Sequence, residues 1–270
     1  LADVASLGPT AERLFLAARA ARDFDGARRG LEIAVERSGG QTELVTLLAR
    51  LYEELDDKRA LAALLSQHLS SSGPAEKRAE ELRRIGQLLL AAGDVEGALE
   101  PLTQALALKP DDVPTVLFIA DAHITARRFQ QAQDLLENSM NAQRQRRSPE
   151  LALLRYRMAR LSDAAHDQDA RLEWLNAALE ADLNNGEIAS ETAIVAQGMD
   201  QHELALKALR AITMLKGETS MSRAEAFYRQ AQIVAQKGEP RRAVLWAKKA
   251  KAEDANLPGV DQLLAELGEA

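Results

Sequence analysis

The residues able to do chemistry in this 270-residue sequence are few and scattered. Its four histidines, His68, His123, His166 and His202, stand at no spacing that brings two of them to one metal ion. His123 falls at an apolar position of its helix and reads as a packing residue. The stretch "HDQD", residues 166–169, forms a small acidic cluster that could hold a cation. The same residue types are what a turn between two helices uses, and the turn reading is preferred. No glycine-rich phosphate loop and no G-x-S-x-G turn occurs, and zero cysteines leave neither thiolate nor disulfide. Trp174 and Trp246 lie within helical stretches and are expected to pack, not to stack on a ligand. Arginine is abundant, with 25 residues against 9 lysines. A guanidinium offers paired donors to a carboxylate, so the chemistry on offer is recognition and not catalysis. The chain reads as a non-enzyme with no cofactor and no metal.

The bulk numbers agree with a binding role. Apolar residues make up 46% of the chain and aromatics only 4%, and Ala and Leu supply most of the rest. That composition favours close-packed helices over sheet, as does the scarcity of hairpin-turn dipeptides. The formal charge of −7 opposes nucleic-acid and anionic-membrane partners. No apolar run is long enough to span a bilayer. The sequence opens at Leu1 without Met, which is expected of a processed or excised fragment. The Ala- and Arg-rich usage fits a GC-rich bacterial genome. The compartment stays open, with the cytoplasm favoured over the periplasm.

The elements that must carry any binding surface are visible in "RIGQLLLAAGDVEGALEPLTQALALKPDD", residues 84–112. Ile85-Gly86, Leu89, Gly93, Ala98, Leu102, Ala105 and Pro110 are spaced as two helices joined by a tight turn. Gly86 and Ala98 are small because the two helices cross there. Gly93 supplies a left-handed helix end and Pro110 stops the second helix. This spacing resembles the tetratricopeptide repeat, with leucines Leu82, Leu89 and Leu102 at the family's aromatic places. The frame extends through second-helix alanines Ala27, Ala60, Ala98, Ala132, Ala170, Ala205 and Ala243. Their separations are 33, 38, 34, 38, 35 and 38, so every second unit carries a longer connector: residues 70–77, 141–150 and 216–223.

The resemblance implies an all-α, right-handed α-solenoid of about seven hairpins plus a C-terminal capping helix. The expected units are 8–40, 41–78, 79–112, 113–149, 150–185, 186–222 and 223–257, with a cap at 258–270, in one superhelical array. It also implies a protein–protein interaction scaffold, with the first helix of each hairpin lining a concave groove. Counted from each unit's start, place 6 of the first helix is Arg13, Arg84, Arg157 and Arg229 in the odd units. In the even units it is Thr46, Phe118 and Glu191. Neighbouring inner places add Arg83, Gln87, Asp121, Tyr156, Arg160, Tyr228 and Gln232.

Two readings of this column stand side by side. The arginines either pair with carboxylates of adjacent units or form a ladder for an acidic or amphipathic partner segment. The family's chaperone-tail clamp is matched only at its basic ends, because Phe118 and Leu153 replace polar residues it requires. A structural spacer in a bacterial envelope, secretion or motility assembly is the alternative, with self-association through an exposed cap, "QLLAEL" at 262–267. Pentatricopeptide-like RNA reading is a weaker third, opposed by the charge and the uneven period.

Overall fold

The computed structural model describes residues 7–21, 24–69, 73–217 and 219–268. Part of the first long connector, Ser70 to Ser72, the connector residue Glu218 and the last two residues of the expected cap lie outside them. Every regular element among the described residues is an α-helix. The chain divides into two compact units, residues 1–126 and 127–270.

The N-terminal unit holds α1 (Leu7–Ala21), α2 (Asp25–Arg37), α3 (Thr42–Glu54), α4 (Lys58–Gln67), α5 (Ala75–Ala91), α6 (Val95–Leu108) and α7 (Val113–Thr125). The C-terminal unit holds α8 (Phe129–Ala142), α9 (Pro149–Ala164), α10 (Gln168–Ala181), α11 (Gly186–Gly198), α12 (His202–Met214), α13 (Arg223–Gln236), α14 (Pro240–Glu253) and α15 (Val260–Glu266). Within each unit consecutive helices pack on one another, most extensively α5 with α6, α9 with α10, α11 with α12 and α13 with α14.

The α5–α6 pair shows why the sequence folds this way. On α5, Ala79, Leu82, Ile85 and Gly86 share one buried face. On α6, Ala98, Leu102 and Ala105 are fully enclosed at i, i+4 and i+7. A methyl group at Gly86 would lie 2.4 Å from Leu102 Cγ, so only glycine lets the helices meet there. Gly93 takes φ +78, and the Asp94 N–H donates back to Leu89 O at 2.8 Å, closing a Schellman turn. Asp94 Oδ1 then accepts from the Gly97 N–H at 3.0 Å, which starts α6 without a break.

This turn recurs with other residues. The residue just before the second helix's N-cap is left-handed at Asp56, Arg127, His166, Asp200 and Gly238 as well. Four of those positions carry a side chain where glycine would be unstrained. Asp57 and Asp167 repeat the cap of Asp94, bonding the N–H groups of Ala60 and Ala170.

The structure corrects the sequence frame at two of its seven alanines. Ala27, Ala98, Ala132, Ala205 and Ala243 are buried, but Ala60 and Ala170 are only partly so. Counted from the capping aspartate, the equivalent place falls one residue later, at the buried Leu61 and at Arg171, which is itself only partly buried. With those substituted, the separations become 34, 37, 34, 39, 34 and 38, so the alternation of shorter and longer units is kept.

The cap needs a correction too. Val260 and Leu264 of α15 are buried in a cluster with Phe227, Ala231, Ala247 and Ala250, and Leu263 packs against it. The outward residues of "QLLAEL" are Gln262, Ala265 and Glu266, so the leucines expected to be exposed are largely consumed within the chain.

Candidate functional site

In the N-terminal unit, Arg13 is exposed on α1, and Arg83, Arg84 and Gln87 occupy two turns of α5. Arg84 Nη2 donates to Glu53 Oε1 of α3 at 2.5 Å, joining two successive first helices across an exposed ion pair. Arg83 turns the other way, to Asp112 Oδ2 at 3.1 Å, at the start of α7. Asp112 is the N-cap of α7 and also accepts from the Thr115 N–H and hydroxyl, with Lys109 Nζ 3.4 Å from its other oxygen. Burial alone would raise its carboxyl pKa. The Thr115 bonds and the charge of Arg83 outweigh burial and hold it below the ordinary 3.8. Asp121 is half-buried further along α7.

The C-terminal unit brings more of the candidates together. Tyr156, Arg157 and Arg160 lie on α9, and Tyr228, Arg229 and Gln232 on α13, with α11 linking the two helices. Tyr156 is buried, and its hydroxyl donates to Glu191 Oε2 at 2.5 Å and lies 3.3 Å from Glu187 Oε1, both on α11. Burial and the Glu191 carboxylate push the phenol pKa far above its ordinary 10. Arg157 lies over the Tyr156 ring at 5.8 Å, and Arg160 is exposed. On the far side, Arg229 Nη1 donates to Gln197 Oε1 of α11 at 3.0 Å and its Nε bonds Glu225 at 2.9 Å. Tyr228 packs beside the cap, where Gly259, at φ +86, leaves no room for a methyl group against the phenol oxygen. Gln232 is half-buried.

Sequence reasoning missed the residue that ties this face to the hairpin interior. Arg171 of α10 donates to Asp163 Oδ1 at 2.7 Å and to Glu191 Oε1 at 2.8 Å, so Glu191 is held between Tyr156 and Arg171. Arg171 stands where four other second helices carry a buried alanine four residues after the N-cap. The distance from Asp167 was the available signal.

Asp167 of "HDQD" serves as the N-cap of α10 and His166 as its left-handed predecessor. Among the described residues, no cluster of His, Asp and Glu could hold a metal ion, and no helix is long and apolar enough to cross a membrane. His123 is partly buried on α7, and Trp174 and Trp246 pack against the core, Trp246 stacked on Phe227 at 5.7 Å.

Successive helix hairpins, small at their crossings and joined across their first helices by polar seams, define a helical-repeat protein. Residues 89–155 match the tetratricopeptide repeat family. Solved structures similar in fold include a tetratricopeptide repeat protein from Parabacteroides merdae, at 16% identity and TM-score 0.51, covering 97% of this chain and 99% of that one. Another is pilF of Pseudomonas aeruginosa, at 14% identity and TM-score 0.52, covering 82% of this chain and 96% of that one. No curated protein sequence shows significant similarity to the chain.

Proposed function

We propose that the chain is a non-enzymatic protein-interaction scaffold whose principal site is the first-helix face of the C-terminal unit. The occupant is an acidic or amphipathic segment of a partner protein. The supporting observation is the pair of polar seams, Tyr156 to Glu191 and Arg229 to Gln197, which joins α9, α11 and α13 into one surface. Along it, Arg157 and Arg160 supply positive charge and Ile194, 49% exposed on α11, supplies an apolar contact. Glu191 accepts from Tyr156 on one oxygen and from Arg171 on the other, so this carboxylate ties α9, α10 and α11 together behind the face.

The test is affinity capture with the wild-type chain and with Arg157→Glu/Arg160→Glu, each eluate quantified by mass spectrometry. A partner held by this face is depleted about tenfold or more from the variant, the loss anticipated for desolvated charge pairs. Equal recovery of every captured protein would reject the site. The folded state of the variant is checked by its far-ultraviolet circular dichroism.

A further inference from the structure

The connector between α8 and α9 concentrates positive charge. From Asn138 to Pro149 the chain has Arg144, Arg146 and Arg147 and no acidic residue, although its net charge is −7. All three arginines are exposed. Arg144 and Arg146 make no hydrogen bond or ion pair among the described residues, so their charge is unanswered within the chain. The far end of the connector is held in place. Ser148 is buried there, its hydroxyl accepting from the Leu151 N–H at 3.1 Å, and Pro149 begins α9.

Two exposed apolar side chains continue this edge of the C-terminal unit. Leu183 follows the end of α10 and is 49% exposed, and Met214 is the last residue of α12 and is 82% exposed. Contacts near the end of α10 show that the three connectors adjoin. Arg155 of α9 donates to Ala177 O of α10 at 2.9 Å, and Lys207 of α12 donates to Glu180 Oε1 of α10 at 2.8 Å. The Lys207 bond, joined by the charges of Arg147 and Arg155, holds the Glu180 carboxyl below its ordinary 4.5. Arg147 therefore leans toward α10 and spends part of its charge there, unlike Arg144 and Arg146. Asn184 and Leu215, the residues next to Leu183 and Met214, line one cleft, so the two apolar tips flank it.

We infer that this edge, from Arg144 and Arg146 across Leu183 to Met214, is a second docking surface, which takes an acidic segment of a partner protein bearing apolar side chains. Unpaired guanidinium groups offer forked donors that fit carboxylates. Leucine and the adaptable methionine thioether give the segment's apolar residues a place to pack. A peptide segment is favoured over an anionic membrane because Glu150 and Glu187, in the first turns of α9 and α11, are exposed along the same edge. An extended lipid surface would press its phosphates against both carboxylates. A short segment can pass beside them, since fields are screened within about 8 Å at physiological salt.

The probe is a labelled synthetic peptide in which pairs of glutamates alternate with single leucines, followed by fluorescence anisotropy. Binding by the full chain should weaken as salt rises. Arg144→Glu/Arg146→Glu should lose about tenfold in affinity, because two attractions are replaced by two repulsions. Arg144→Gln/Arg146→Gln should lose less and flatten the salt dependence. Met214→Ser should lose about threefold while keeping the salt dependence. Arg157→Glu/Arg160→Glu should bind the probe like wild type, which separates this surface from the first-helix face.

The inference fails if the connector variants bind as wild type does, or if the first-helix variant alone loses the probe. It also fails if a lysine–leucine peptide binds equally well, or if phosphatidylserine vesicles or a second copy of the chain are bound in preference. Circular dichroism of each variant confirms that these exposed substitutions leave the fold intact.

Discussion

Replacing Gly86 with alanine sets two effects of opposite sign against each other. Alanine is the better helix former by about 1 kcal/mol, so an open site would gain stability. At Gly86 the added carbon would lie 2.4 Å from Leu102 Cγ, 2.6 Å from its Cδ2 and 3.1 Å from its Cδ1. Leu102 is fully enclosed. Relief of such a contact shifts α5 and α6 apart, a cost of about 1–3 kcal/mol, taken here at the upper end because the obstacle is a branch carbon. The net loss is about 2 kcal/mol, on the order of 6 °C in melting midpoint for a unit of this size.

Gly198 is the control. It lies in helix α11 with nothing within 4 Å of an added methyl, so Gly198→Ala should stabilise by about 0.5–1 kcal/mol. Leu102→Ala in the Gly86→Ala background should cost at least about 1 kcal/mol less than the two changes summed, because the new methyl fills part of the cavity. Chemical denaturation followed by circular dichroism reads the wild type and all four variants, Leu102→Ala alone included. A stabilised Gly86→Ala, or strict additivity in the double variant, would refute the crossing described for α5 and α6.

Other outcomes follow from the same coordinates. Gln230 of α13 is buried, and its Nε2 finds no hydrogen-bond partner among the described residues. Gln230→Leu keeps the volume and should raise stability by about 1–3 kcal/mol in a denaturant titration, and a loss would show that the amide is satisfied. His166→Gly relieves a left-handed side chain and should raise the melting midpoint by the equivalent of about 1 kcal/mol, an effect absent if the turn is not strained. Asp112 has a lowered carboxyl pKa in the folded chain, so its stabilisation is complete above the unfolded value near 3.8. It is lost as the pH falls from there through the lower folded value. Melts from pH 7 to pH 2 should show Asp112→Asn less stable than wild type at pH 7 and level with it at the acid end. A constant gap at every pH would contradict the assignment.

Much of the fold was legible because it depends on small and apolar residues whose spacing is set by helix geometry. Gly86, Ala98 and Leu102 had to meet, and Gly93 had to be left-handed. The frame slipped at Ala60 and Ala170 because an alanine one place early is as good a helix former as the enclosed residue, so composition could not separate them. Position relative to the capping Asp57 and Asp167 could.

The candidate face was legible only by helix. Place 6 identified Arg84 and Arg229, but not that each reaches a residue of the preceding first helix, Glu53 and Gln197. Such pairs span about thirty residues of sequence, and a single-chain pattern holds no record of them. Arg171 escaped notice for a related reason: it takes a place that other second helices give to a buried alanine, and Asp163 and Glu191 converge on it from two other helices.

The most direct measurement is a site-specific photocrosslinking map. A benzophenone side chain would be placed in turn at Arg160 and Gln232, on the first-helix face, and at Glu173, on the outward side of α10. Protein-partner adducts from positions 160 and 232, with none from 173, are the predicted result. Adducts from 173 alone, or from none of the three, would contradict an interaction scaffold that works through α9, α11 and α13.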